Sequence, residues 1–126
     1  MRYSVIVLGA TGNVGRRIVE LLIRTSDCAR VIAVTRRQTG AFSEPKVAEV
    51  VVDMSRMEAD LAPHVQGVDI ALAAFGVGKG SAKMSEDEVR RIEVAYPAAF
   101  CRAAKAGGAR VGGVLRGPPP EQQSDL

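Results

Sequence analysis

Val7-Leu8-Gly9-Ala10-Thr11-Gly12-Asn13-Val14-Gly15-Arg16-Arg17 is the stretch on which the reading of this chain turns. Gly9, Gly12 and Gly15 follow an apolar run and precede an amphipathic one. Residues 3–8 are β-rich and almost continuously apolar, the pattern of a parallel strand buried on both faces. From Asn13 to Arg24 the period changes. Val14, Ile18, Leu21 and Leu22 share a helical face, while Arg16, Arg17, Glu20 and Arg24 fall elsewhere. A glycine motif alone is weak, and a strand before it with a helix after it is the context that gives it meaning. In that context Gly9 permits a tight turn and Gly12 lets the backbone approach a pyrophosphate. Gly15 lets the helix pack against the sheet, and the helix N-terminus offers free N–H groups and partial positive charge to phosphates. The plainer alternative, a strand-to-helix turn that tolerates glycine, accounts for one glycine better than for this series. Thr11, Asn13 and Val14 complete the cradle.

Outward from the cradle, strands and helices alternate. Residues 31–34 form a second short β-branched run, a polar loop occupies 36–46, and valine-rich residues 48–52 form a third strand. Ser55 with Glu58 has the S-x-x-E capping pattern for a short helix ending near Pro63. Residues 68–75 read as a fourth strand and 76–81 as a mobile glycine-rich loop. Ser85 with Glu88 repeats the capping pattern and opens the longest helix, to about Ala106. Val89, Ile92, Tyr96, Phe100 and Ala103 supply its apolar stripe, and Pro97 inside it is expected to kink it. This alternation predicts an α/β fold: a Rossmann-type parallel sheet in the order 3-2-1-4 with a weak fifth strand and helices on both faces.

The bulk composition agrees with one soluble domain. Of 126 residues, 47% are hydrophobic and 25% charged, and the net charge is +3 without any basic block. Two tyrosines and no tryptophan leave few platforms for stacking bases, so no nucleic-acid partner is expected. No apolar run approaches a membrane span, and the start is too short for a signal peptide. Cys28 and Cys101, far apart and outside any CxxC, suit a reducing compartment, so a cytoplasmic location is expected. No metal site is expected. His64 is the sole histidine and has no ligand-spaced partner, and Glu86-Asp87-Glu88 suits the first turn of a helix. Cys101 reads as a small core residue, Lys79 and Lys83 as solvated loop lysines, and Ser81 has no base nearby in sequence.

About 20 residues past such a cradle, an NAD-preferring site places a carboxylate at the end of the second strand. This chain reads Val34-Thr35-Arg36-Arg37 there. Arginine pairs with phosphate through its planar fork, so Arg36 or Arg37 suits the 2′-phosphate of NADP, and NADP is expected over NAD. Asp53, closing the third strand, has two readings: an acceptor for the adenine amino group, or the first residue of a turn. Ala73, Ala74, Phe75 and Gly76, where the fourth strand ends, are expected over the other half of the cofactor, because ligands bind outside the carboxyl ends of the strands.

Taken together, these segments resemble the atypical short-chain dehydrogenases, in particular the Tat-interacting-protein-type oxidoreductases and the NmrA-like NADP-binding proteins. The resemblance rests on Val7 to Arg16, on Asp69-Ile70-Ala71-Leu72-Ala73-Ala74-Phe75-Gly76 with the loop through Lys79 and Gly80, and on Glu93-Val94-Ala95-Tyr96 running into Ala103-Ala104-Lys105-Ala106-Gly107-Gly108. It extends from Met1 to about Arg110. It implies a Rossmann domain binding NADP and, in active members, reduction of a carbonyl or similar group. Those members use a serine after the fifth strand and a Tyr-x-x-x-Lys pair beyond it. The G-A-T-G-x-V-G start is shared with semialdehyde dehydrogenases, but neither cysteine stands on a suitable loop for their nucleophile.

After Arg110 the sequence departs from the family pattern. Arg110-Val111-Gly112-Gly113-Val114-Leu115-Arg116-Gly117 replaces an apolar strand ending in Ser-Ser, and Pro118, Pro119 and Pro120 follow. Neither tyrosine has a lysine four residues later: Val7 follows Tyr3 and Phe100 follows Tyr96. No catalytic residue is therefore assigned. The abrupt change fits a shifted frame, an alternative ending or a fragment. The expected organisation is a nucleotide-binding domain over residues 1–115 and a disordered tail over 116–126. Three readings stay open: a binding-only domain of oxidoreductase descent, a cofactor-responsive interaction module, and a truncated product without function. For the second, an open sheet edge would serve a homo-oligomer or a protein partner.

Overall fold

The apolar run before the glycines forms β1 (Tyr3–Leu8), and the amphipathic run after them forms α1 (Asn13–Arg24), in the computed structural model, which describes residues 2–75, 85–90 and 94–116. The chain continues through β2 (Cys28–Thr35), β3 (Val47–Val51), α2 (Met57–Leu61), β4 (Ile70–Phe75), α3 (Glu86–Arg90), α4 (Tyr96–Ala106) and β5 (Val111–Arg116). Short 3₁₀ turns at Met54–Arg56 and Ala62–His64 flank α2. The sheet order is β3-β2-β1-β4-β5, and every pairing is parallel. This is the Rossmann-type arrangement that the alternation predicts. Gly76, Lys79, Ser81, Lys83 and Ile92 lie outside the described residues, as does the expected tail from residue 117.

β1 is central because its residues are apolar on both faces. Val5, Ile6, Val7 and Leu8 are all buried, and the odd and even positions feed opposite layers. Val5 and Val7 join Val19 of α1 and Val31 and Ala33 of β2. Ile6 and Leu8 join Met57 and Leu61 of α2 and Phe100, Ala103 and Ala104 of α4. The carboxyl ends of β1 to β4 thus sit on a floor packed from both sides.

Several details of the described residues refine the sequence reading. The short helix is not capped by Ser55: α2 has no side-chain cap, and Asp53 caps the 3₁₀ turn before it, accepting from the Ser55 N–H at 2.9 Å and the Ser55 hydroxyl at 2.6 Å. Pro97 falls in the first turn of α4, directly after π-helical residues 94–95. The fifth strand pairs with β4 over six consecutive residues despite Gly112 and Gly113, which stand opposite Ala71 and Leu72. A ready template strand supplies the hydrogen bonds that local propensity underrates. It also carries the fold to Arg116, one residue past the expected boundary. Ser85 does cap α3, accepting the Glu88 N–H at 3.2 Å.

Candidate nucleotide-binding site

The cradle is built by backbone. Gly9 leaves β1 at φ +80°, and a Cβ there would stand 2.0 Å from the Ala74 carbonyl oxygen. Gly15 is closed in similarly: its Cβ would stand 2.0 Å from the Gly9 carbonyl oxygen. Its bare face therefore seats α1 against the turn itself, where the sequence reading placed it against the sheet. Gly12 differs from both, since its Cβ would meet only the Gly9 oxygen, at an ordinary 3.5 Å. The fold tolerates a side chain there. The Gly12 N–H donates to Gly9 at 3.1 Å and the Gly12 carbonyl accepts from Arg16 at 2.9 Å, which closes the turn and starts the helix.

Gly12 is also the N-cap residue of α1, so no side chain caps this helix, and no acidic residue lies in its first turn. The first N–H groups of the helix have no intrahelical acceptors. They meet an anion with hydrogen bonds and the positive end of the dipole. Thr11 and Val14 are exposed beside them. A phosphate group fits this chemistry: close backbone approach, free N–H donors and no competing carboxylate.

A cavity of about 540 Å³ opens beside the carboxyl ends of β2 and β3, lined by Arg36, Val51, Val52, Asp53, Met54 and Tyr96. Of the two arginines singled out in sequence, Arg36 lines this cavity, whereas Arg37 is exposed outside its lining. Asp53 lines it too while capping the turn after β3. Both Ser55 bonds fall on Oδ1. The turn reading of Asp53 is thus met without removing it from the cavity. Donation by the Ser55 hydroxyl and N–H, with Arg56 nearby, holds its carboxyl below the usual aspartate range.

Val51, Val52, Met54 and Tyr96 were not identified from sequence. The signal for the first three was present, since they continue from the carboxyl end of a parallel strand. Tyr96 had none beyond its place in an apolar stripe; it packs against the core and also turns a wall toward the cavity. At the end of β4, Ala74 backs the glycine turn through its carbonyl, and Ala73 is buried in the core. Phe75 ends the strand, and Gly76 is beyond description.

Of the other candidates, those within the described residues stand as follows. His64 is exposed in a 3₁₀ turn, and Cys101 packs half-buried against the core. Cys28 is buried, and burial pushes its thiol above the usual range. Among the described residues no group of three or more His, Cys, Asp or Glu is placed to hold a metal, and no helix is long and apolar enough to cross a membrane.

The chain is similar to several known proteins. It is 32% identical over 112 residues to "Protein fmp52, mitochondrial" of Aspergillus niger, covering 86% of this chain and 47% of that one. It is 28% identical over 109 residues to "Protein HTATIP2" of Rattus norvegicus, covering 85% and 44%. The chain thus spans about half the length of these relatives. Among solved structures, it superposes on the oxidoreductase ylbE from Lactococcus lactis with a TM-score of 0.67 at 18% identity, covering 88% of this chain and 47% of the other. It superposes on a short-chain dehydrogenase/reductase superfamily protein from Agrobacterium tumefaciens with bound NAD with a TM-score of 0.62 at 26% identity, covering 89% and 32%. The fold and the glycine cradle agree with the NAD(P)H-binding family model, which matches residues 9–111, and the chain belongs to that NAD(P)H-binding family.

Proposed function

We propose that this chain is a binding domain that prefers NADP(H) to NAD(H). Gly9 to Gly15 receive the pyrophosphate, Arg36 and Arg37 the 2′-phosphate, Asp53 the adenine amino group, and Ala73 and Ala74 flank the nicotinamide half. The observation that carries this reading is that Arg36 lines the cavity together with Asp53, while the end of β2, Val34-Thr35-Arg36-Arg37, has guanidiniums and no carboxylate. When bound, such a dinucleotide supplies or accepts a hydride. Within this chain no tyrosine is followed four residues later by lysine, so the part proposed for these residues is to bind and orient the cofactor. Two free cysteines support a reducing compartment such as the cytoplasm.

Calorimetric titration with NADPH and NADH tests this reading. NADPH is expected to bind more tightly, and Arg36→Ala to weaken NADPH by about ten- to a hundredfold, the scale of one or two charge-assisted hydrogen bonds, with little effect on NADH. Equal affinities for the two cofactors, or an Arg36→Ala variant that lowers both alike, would overturn the preference.

A second reading has its own observation. β5 is the edge strand of the described sheet, and Val111 on it is 57% exposed. An edge strand of the described sheet is of a kind that can pair with a further strand, and we propose a second copy of the chain as such a partner, in keeping with a cofactor-responsive interaction module.

A further inference from the structure

The loop after the two arginines is held by a residue of the next strand. Glu49 stands on β3 opposite Ala33 of β2, on the face of the sheet that α1 covers. Its Oε2 accepts from the Thr39 N–H at 2.9 Å and the Thr39 hydroxyl at 2.7 Å. Its Oε1 accepts from Gln38 Nε2 at 3.2 Å and the Gly40 N–H at 3.3 Å. The Thr39 hydroxyl also accepts from the Ala41 N–H at 3.2 Å, so one carboxylate ties down consecutive residues of the loop. On the sheet side, the Thr35 carbonyl is fixed by the Val52 N–H at 2.9 Å. Arg36 and Arg37 are therefore the whole link between two fixed points.

A carboxylate has about four lone-pair sites, and four donors occupy those of Glu49. It has none to spare for the ribose hydroxyls that an acid serves in an NAD site, and its charge is already met by the loop. We propose that Glu49 is a positioning residue for cofactor choice: it pins residues 38–40 so that Arg36 and Arg37 are held ready for a 2′-phosphate. The inference rests on the NADP reading above. A flexible connection between β2 and β3 would pay the entropy of ordering the arginines on binding, whereas the pinned loop has paid it on folding.

The test uses 2′,5′-ADP and ADP as paired probes in calorimetry, with melting temperature read alongside. Glu49→Ala is expected to weaken 2′,5′-ADP by about tenfold while ADP changes by less than about twofold, because only the phosphate contact depends on the arginines. Glu49→Gln, which keeps one acceptor oxygen, is expected to fall between. Should Glu49→Ala not fold, Thr39→Val removes one hydroxyl donor and is expected to cost 2′,5′-ADP alone about threefold. Equal losses on the two probes, or unchanged 2′,5′-ADP affinity in a folded variant, would overturn the role. Arg36→Ala in parallel separates the two ideas. If it lowers discrimination and the Glu49 variants leave discrimination unchanged, the positioning role alone fails; if wild type shows no discrimination, the NADP reading fails and this inference with it.

Discussion

Three glycines of one motif do three different jobs. Gly9 and Gly15 are required by the fold, each having a carbonyl oxygen 2.0 Å from where a Cβ would stand. Alanine at either position is expected to destabilise the domain by about 2–5 kcal/mol, with Gly9 also strained by its positive φ. Gly12 has room for a methyl group, so Gly12→Ala is expected to melt within a few degrees of wild type. It should nevertheless bind NADPH more weakly, because the methyl group would stand where the phosphate approaches. Thermal denaturation and calorimetry on the same three variants check this division. Equal melting temperatures for all three would contradict it. The positions of the glycines were legible in sequence, but their separate roles depend on the carbonyl oxygens of Ala74 and Gly9, whose approach only the folded chain reveals.

At the scale of elements, the two ends of α1 differ. Its N-terminus is left open, and its C-terminus is closed by Lys46, whose Nζ donates to the carbonyls of Leu22, Ile23 and Thr25 at 3.3, 3.0 and 3.0 Å. A cation at a helix C-terminus also meets the negative end of the dipole, so Lys46→Met is expected to cost about 1–2 kcal/mol in urea denaturation. Acid tests the carboxylate ties. Ser55 holds Asp53 below its ordinary 3.8. For Glu49, partial burial opposes ionisation, but donation by Thr39 and Gly40, with the dipole of the buried Thr35 hydroxyl, outweighs it and brings the carboxyl below 4.5. A folded-state pKa below the unfolded one stabilises fully above the unfolded value and is lost as pH falls through the folded value. The deficit in melting temperature of Asp53→Asn is thus expected to be largest near neutrality and to shrink below 3.8. A deficit independent of pH would contradict the cap's ionic character.

The same scale shows what local sequence conveys. α1 was legible from Asn13 to Arg24 because its period and its glycine start agree. The cap at Asp53 was not, because S-x-x-E offered an equally good local signal two residues later. The strength of β5 was not legible either, since Gly112 and Gly113 are poor strand formers and its partner β4 is distant in sequence. The cavity was half legible: Arg36 and Asp53 follow from strand ends, whereas Tyr96 reaches it only because α4 packs over β4 and β1.

For the molecule as a whole, the arrangement puts the described candidate binding groups on one side, where the strands end, and leaves β5 at the edge of the described sheet. Concentration-dependent self-association is expected in analytical ultracentrifugation, and Val111→Lys is expected to reduce it by placing a charge on the edge. A monomer at all concentrations would remove the second copy as β5's partner. The central claim is that a dinucleotide lies across the uncapped start of α1 and the ends of β2 and β3. Its most direct test is an amide NMR titration of the ¹⁵N-labelled chain with NADPH. The account predicts saturable shifts centred on residues 9–15, 35–37 and 53–54, with Lys46 and the opposite end of the sheet unmoved. A folded chain whose amides stay still, or move only elsewhere, would contradict it and leave the glycines as a turn.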